Sequence, residues 1–188
     1  MKISVLILIV FFASVSVSKS QILIVDDGET VFFSRALLLD ISAVNKNSKC
    51  SLNVSNGELF SEINLSDFTF EEKLMQIAFN NEYVHSSTYP VAKLNAKIDN
   101  LNEIEFYKPG KYYPQISGII EIHGIKQPVT INAVIIVDER NVVRASALFN
   151  IKLNLFNIMI PSYNIKNISN DILIKTEFNF YDLLYSNK

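Results

Sequence analysis

Residues 143–155 read VRASALFNIKLNL. Val143, Ala145, Ala147, Phe149, Ile151, Leu153 and Leu155 fall on one face at a period of two. Arg144, Ser146, Leu148, Asn150, Lys152 and Asn154 fall on the other, and only Leu148 breaks the pattern. A β-strand turns successive side chains to opposite faces, so this stretch predicts a long strand with one buried face. Upstream, Val129, Ile131, Ala133, Ile135 and Val137 repeat the alternation against Thr130 and Asn132. Ala92, Leu94, Ala96 and Ile98 alternate with Lys93, Asn95 and Lys97, and Leu59, Ser61, Ile63 and Leu65 with Glu58, Phe60, Glu62 and Asn64. Downstream, Ile172, Ile174, Thr176, Phe178 and Phe180 form the inner face of a last strand.

Further strands are expected at Thr30–Val44, Cys50–Val54 and Gln115–His123. Asn56-Gly57 is a strong hairpin signal, Gly124 marks a second turn and Asp138–Asn141 a third. The total is about eight strands, mostly neighbours in sequence. One segment departs from period two. Phe70, Leu74, Ile77 and Ala78 make a helical stripe within Phe70–Phe79, with Asp67 or Thr69 as the expected cap. An antiparallel sheet with this many amphipathic strands must hide its edges, and closing into a barrel does so. The expected fold is therefore all-β, an antiparallel lipocalin-like barrel of about eight strands with one short helix near residues 70–80. A barrel of that size is filled by its own side chains or holds one apolar ligand.

Composition narrows the function. Seventeen Lys+Arg against 19 Asp+Glu give a net charge of −2, so there is no basic excess to neutralise a phosphate backbone, and nucleic acid is not an expected partner. One cysteine forms no internal disulfide, and with two histidines it leaves little for a metal centre. The dinucleotide, P-loop, HExxH, CxxC and GxSxG patterns are absent, and no two carboxylates are placed on a shared site. The reading is against catalysis, and no cofactor is expected.

Residues 1–20 read as a secretory signal. Lys2 supplies the positive start, Ile3–Ala13 is apolar apart from Ser4, and Ser18 and Ser20 occupy the −3 and −1 positions of a cut before Gln21. The apolar run is shorter than the ~20 residues of a spanning helix. Removing 20 of the 188 residues leaves a 168-residue barrel domain, 21–188, secreted or periplasmic.

Four blocks, in order, resemble the YceI-like family. They are Gly57-Glu58-Leu59 followed by Phe68-Thr69-Phe70 and Leu74-Met75; Phe79-Asn80-Asn81-Glu82-Tyr83 followed by Ser86 and Tyr89-Pro90; ISGIIEIHGIKQPV at 116–129; and FNIKLNLFNIMIP at 149–161. The chain departs from the family where Leu155 replaces an acidic residue and Asn157 a glycine, and the family's N-terminal signature is not recognisable in Asp26–Phe33. The resemblance implies a bacterial, mostly secreted, lipocalin-like barrel that binds a polyisoprenoid lipid, such as a polyprenyl phosphate or an isoprenoid quinone. The cavity candidates are Phe70, Leu74, Met75, Phe79, Tyr83, His123, Ile131, Phe149, Ile151 and Leu153. For the helix residues and for Phe149, Ile151 and Leu153 two readings stay open, cavity lining or core that plugs the barrel. His123 is read either as a head-group contact or as a strand-end residue serving a turn, and His85 as a polar loop residue. Tyr107, Tyr112 and Tyr113, beside Lys108 and Lys111, are read either as a rim that touches membrane headgroups or as ordinary exposed tyrosines. Two further partners fit this reading, a transiently contacted membrane surface and a second copy of the chain. The competing function is a filled barrel acting through its outer surface as an envelope interaction module.

Overall fold

A computed structural model describes residues 21–140 and 142–180. The expected signal segment, and the end of the expected domain beyond residue 180, lie outside the described residues. The strands are β1 (Ile22–Arg35), β2 (Asp40–Asn53), β3 (Glu58–Asn64), β4 (Thr69–Phe70), β5 (Val91–Ile98), β6 (Gly110–Tyr112), β7 (Gln115–Ile122), β8 (Ile125–Val137), β9 (Val143–Lys152) and β10 (Asp171–Phe180). All pair antiparallel, in the order β1-β10-β9-β8-β7-β5-β3-β2. β2 pairs back onto β1, which closes an eight-stranded barrel. β4 adds two residues beside β2, and β6 three beside β8.

The alternating segments form the strands expected of them, with instructive differences at the ends. β9 stops at Lys152, and Leu153–Phe156 turn as a 3-10 helix, so Leu155 leaves the inner face and is half exposed. The single strand expected over Thr30–Val44 is instead the tip of a hairpin, with β1 ending at Arg35 and β2 beginning at Asp40. The apolar run Ala36-Leu37-Leu38-Leu39 resembles strand core in sequence, yet it forms the turn. Cys50–Val54 is the end of β2 rather than a separate strand.

Local chemistry explains the turns. Gly57 has φ +76, as the Asn56-Gly57 hairpin requires. His123 and Gly124 have φ +54 and +73 between the paired Ile122 and Ile125, the two left-handed residues of a type I′ turn. In the β8–β9 turn, the Asp138 carboxylate accepts the backbone N–H groups of Arg140 and Val142, which hold its pKa below the usual carboxylate range. β1 changes register with β2 around Gly28. There a Cβ would lie 2.3 Å from the Phe178 ring and 2.8 Å from the Ser48 carbonyl, so only glycine fits.

The helix α1 (Lys73–Ala78) is shorter than expected and starts later. Glu72 sits at its N-cap without a side-chain hydrogen bond. Thr69 belongs to β4, and Asp67 ends a separate 3-10 turn over Leu65–Asp67 that Asn64 caps. A π-turn over Phe79–Tyr83 continues α1. Together they lie in the connection between β3 and β5.

The connections sort to two ends of the barrel. One end gathers the β1–β2 tip, the α1 connection, the His123–Gly124 turn and the long β9–β10 connection, 153–170. Leu38 N–H donates to the Lys166 carbonyl there, at 3.0 Å, and Leu65 N–H to the Pro90 carbonyl, at 2.8 Å. The opposite end gathers Gln21, the Gly57 hairpin, the 99–114 connection and the Asp138 turn.

Candidate functional site

The barrel encloses a cavity of about 360 Å³. That falls within the roughly 300–1,000 Å³ typical of small-molecule sites. Its walls are mostly aliphatic and aromatic, with a few hydroxyls such as Thr30, Ser61, Ser146 and Thr176 and with Asn164 and Asn167 towards one end. The reason for the space is written in the register of two strands. Ala133 of β8 lies opposite Ala147 of β9, and Ile135 opposite Ala145. Three alanines thus share one patch of wall, and an eight-stranded barrel with larger residues there would close on itself.

One end of the cavity is sealed. Leu52, Ile98, Ile135, Val143 and Phe180 are all essentially buried within one cluster. The tyrosines read either as a rim or as ordinary exposed residues lie at this end. Tyr107 bonds Gln21, the Tyr112 hydroxyl donates to the Lys108 carbonyl at 2.9 Å, and Tyr113 is exposed with the Lys111 ammonium over its ring. The cavity opens at the other end, where partly exposed Leu39, Ile41, Tyr83, Asn164, Asn167 and Ile168 form the last of its lining.

An aromatic cluster supports the open end. Phe32 stacks on Phe79 with ring centroids 5.5 Å apart and meets Phe68 and Phe70 edge-on at 5.2 and 5.6 Å. Such pairs contribute ~1 kcal/mol each beyond their buried area. They fix the inner face of α1 and the π-turn, so that Met75, Ala78 and Phe79 point into the cavity.

Eight of the ten cavity candidates line the space: Phe70, Met75, Phe79, Tyr83, Ile131, Phe149, Ile151 and Leu153. Leu74 does not, being 79% exposed. The expected stripe began its helical phase at Phe70, whereas that residue is in β4 and the helix begins at Lys73. Met75 and Phe79 therefore face inwards while Leu74 and Ile77 face water.

His123 also lies outside the lining. It sits in the type I′ turn, with Nδ1 3.1 Å from the Phe156 carbonyl and Nε2 3.1 Å from Nδ1 of His85. A carbonyl only accepts, so in the neutral ring Nδ1 of His123 carries the proton and Nε2 accepts from His85. Tyr89 packs on the His123 ring at 4.4 Å. The pair ties the β7–β8 turn to the α1 connection and to the 153–156 turn. His85, read as a loop residue, is exposed but takes part in this tie, and it also has positive φ.

Several lining positions escaped the sequence reading. Phe32 shares the inner face of β1 with Thr30 and Ser34, whose polarity masks the alternation. Thr30 accepts from the buried Ser48 hydroxyl at 2.8 Å, and Ser34 accepts from Ser169 N–H at 2.9 Å, so both polar groups are satisfied against the barrel wall. Asn164 lies on a connection without period, and no local signal marks it. Its amide donates to the Tyr83 hydroxyl at 2.8 Å, and Asn167 donates to Asn164 Oδ1 at 3.5 Å. Burial pushes the Tyr83 phenol up from its ordinary pKa, partly offset by the Asn164 bond. Tyr83 thus keeps its proton at neutral pH and presents an O–H donor, beside the Asn164 and Asn167 amides, at the mouth of a largely apolar space.

Cys50 lines the cavity from β2 and is buried, which pushes its thiol up to about 12. Among the described residues no three His, Cys, Asp or Glu side chains converge as a metal site. Asn157 has φ +54, a left-handed conformation that asparagine tolerates far better than most residues. Leu155 is half exposed outside the lining.

Comparison with known proteins agrees with this architecture. A polyisoprenoid binding domain from Saccharophagus degradans, implicated in plant cell wall breakdown, superposes with a TM-score of 0.71 at 11% identity, covering 85% of this chain and 97% of that one. Burkholderia cenocepacia BcnA superposes with a TM-score of 0.66 at 14% identity, covering 80% and 94%. The Campylobacter jejuni YCEI protein does so with a TM-score of 0.52 at 15% identity, covering 72% and 81%. At these identities the likeness is one of fold. No curated protein sequence matches the chain. The YceI-like domain model matches residues 27–180, which is most of the chain and nearly the whole barrel, and the chain belongs to the YceI-like family.

Proposed function

We propose that the protein is a binding protein that holds the hydrocarbon tail of an isoprenoid lipid in the barrel cavity and shields it from water. The observation that carries this reading is the cavity itself: about 360 Å³, sealed at one end, apolar along its walls and open at the other end beside Tyr83 and Asn164. A tail binds such a space by leaving water. At ~0.8 kcal/mol per methylene, one five-carbon isoprene unit contributes about 4 kcal/mol before the entropy of association is subtracted. The Tyr83 hydroxyl is the donor best placed for a phosphate or quinone oxygen at the mouth. The Saccharophagus relative is described as polyisoprenoid-binding, which supports the same ligand class. The signal-like residues 1–20 support a secreted or periplasmic site of action, where a membrane lipid needs a carrier through water.

The test is mass spectrometry of an organic extract of the mature protein purified from its native envelope, followed by uptake of added polyprenyl phosphate and of isoprenoid quinone. A stoichiometric isoprenoid is the expected result. Protein free of lipid that also takes up neither compound would overturn the reading and leave a barrel acting through its outer surface.

A further inference from the structure

The mouth of the cavity is bordered on one side by an exposed apolar surface. At the β1–β2 tip, Leu37 and Leu38 are 80% and 67% exposed, and on the β9–β10 connection Met159 and Ile165 are 81% and 66% exposed. These two segments touch. Leu38 N–H donates to the Lys166 carbonyl, and Leu37, Met159 and Ile165 line one shallow groove with Arg35. Isolated exposed aliphatic residues are ordinary, but four on two adjoining segments at one end of a barrel form a patch.

The charged groups within the groove and within residues 153–170 are positive, with one carboxylate, Asp40, at the base of the hairpin. Residues 153–170 contain a single charged residue, Lys166, and the groove contains a single one, Arg35. Neither forms an ion pair among the described residues. Glu71, Glu72 and Glu82, with Lys73 as the one cation among them, lie on the α1 side of the mouth instead, and Asp40 stands across the hairpin from Arg35. Aliphatic tips flanked by Arg and Lys match the boundary between headgroups and acyl chains of an anionic bilayer, where apolar side chains enter the lipid and cations meet the phosphates. The patch also runs into the cavity lining, through Leu39 on one segment and Asn164, Asn167 and Ile168 on the other. An isoprenoid tail passing from a bilayer into the cavity by this route stays in apolar surroundings.

We infer that the protein docks end-on to an anionic lipid bilayer through Leu37, Leu38, Met159 and Ile165, with Arg35 and Lys166 on the headgroups. The α1 side, with its three glutamates, is tilted away. This assigns membrane contact to the end opposite the tyrosine-bearing hairpin. It rests on the carrier reading for its purpose but not for its test.

The experiment is flotation of mature protein with vesicles of phosphatidylcholine alone and of phosphatidylcholine mixed with phosphatidylglycerol. Uptake of detergent-dispersed polyprenyl phosphate is measured separately. The wild type is expected to float, more strongly with the anionic vesicles. A triple variant, Leu37→Gln, Met159→Gln and Ile165→Gln, is expected to lose vesicle affinity by more than about 100-fold, since each side chain withdrawn from lipid is worth roughly tenfold. It should keep its far-UV circular dichroism and its lipid uptake, because none of the three lines the cavity. Arg35→Gln with Lys166→Gln is expected to weaken binding about tenfold on anionic vesicles and little on neutral ones. Tyr107→Gln with Tyr113→Gln, at the sealed end, should float as the wild type does. The inference is overturned if the wild type does not float, if the triple variant floats unchanged, or if the tyrosine variant is the one that fails. It is also overturned if the triple variant only converts a dimer into monomers. Flotation as described, with no lipid uptake by the wild type, would leave docking standing and remove the carrier reading.

Discussion

Replacing Ala147 by leucine is expected to separate ligand binding from folding. Ala147 lies midway along β9, opposite Ala133 on β8 and Thr176 on β10, and its methyl group lines the cavity. Leucine adds three carbons to a space of about 360 Å³. Those carbons displace an equal number from a bound tail. At ~0.8 kcal/mol per methylene the loss is about 2.4 kcal/mol, or roughly 60-fold in Kd. The same carbons enter apolar space in the free protein, so the thermal midpoint should hold or rise rather than fall as it does when a filled core is overpacked. The neighbouring Leu148 points outwards and is more than half exposed, so Leu148→Ala is the matched control and should leave Kd unchanged. Isothermal titration calorimetry with a soluble short-chain polyprenyl phosphate reads both variants. A negative heat-capacity change for the wild type would mark apolar burial. An unchanged Kd in a folded Ala147→Leu protein would refute the placement of the tail. A loss of several kcal/mol of stability would refute the void.

Three further outcomes test the structure. The Cys50 thiol is raised in the folded state to about 12 from an ordinary 9.0, so the folded protein holds its proton where the unfolded chain has released it. Its contribution is fully present below about pH 9 and is lost as pH rises towards 12, by as much as ~4 kcal/mol; urea titrations should show a steeper alkaline decline for the wild type than for Cys50→Ala, and parallel declines would contradict the burial. At Gly118 of β7 a Cβ would stand 2.3 Å from the Asn95 carbonyl oxygen and 2.5 Å from Ala96 Cα, so Gly118→Ala should force the β5 and β7 backbones apart and cost about 1–3 kcal/mol or more in denaturant unfolding, whereas a neutral effect would show that the strands are not so close. His123→Asn suits the left-handed turn but loses both ring hydrogen bonds, for about 1 kcal/mol, while His123→Val should cost roughly 1–2 kcal/mol more because its branched side chain resists positive φ; equal thermal midpoints for the two would remove the strain argument.

Much of the barrel is legible without coordinates because its cause is local. The alternation over 143–152, 129–137 and 172–180 follows from one face meeting an apolar interior, and Asn56-Gly57 and His123-Gly124 carry their own turn chemistry. Where the reading slipped, a local pattern had a competing non-local owner. The Leu37–Leu39 run looks like strand core but borders the mouth, and the helical stripe took its phase from Phe70, which pairs as a strand with Ala43. The phase of α1 is set through Phe79, which follows it, by contacts with nearby Phe68 and with Phe32, far back along the chain on β1.

The sequence by itself determined an antiparallel sheet with one apolar face, because side-chain alternation and turn residues act within a few positions of one another; a barrel is expected because it hides the edges of such a sheet, and the family comes from the resemblance of four sequence blocks. Only the tertiary structure decided that the interior is hollow, which end is open and what stands at the mouth. Those depend on Ala133 meeting Ala147 across β8 and β9, and on Tyr83 meeting Asn164 eighty-one residues away. A void is a property of facing surfaces, and no single strand records what its neighbours leave unfilled.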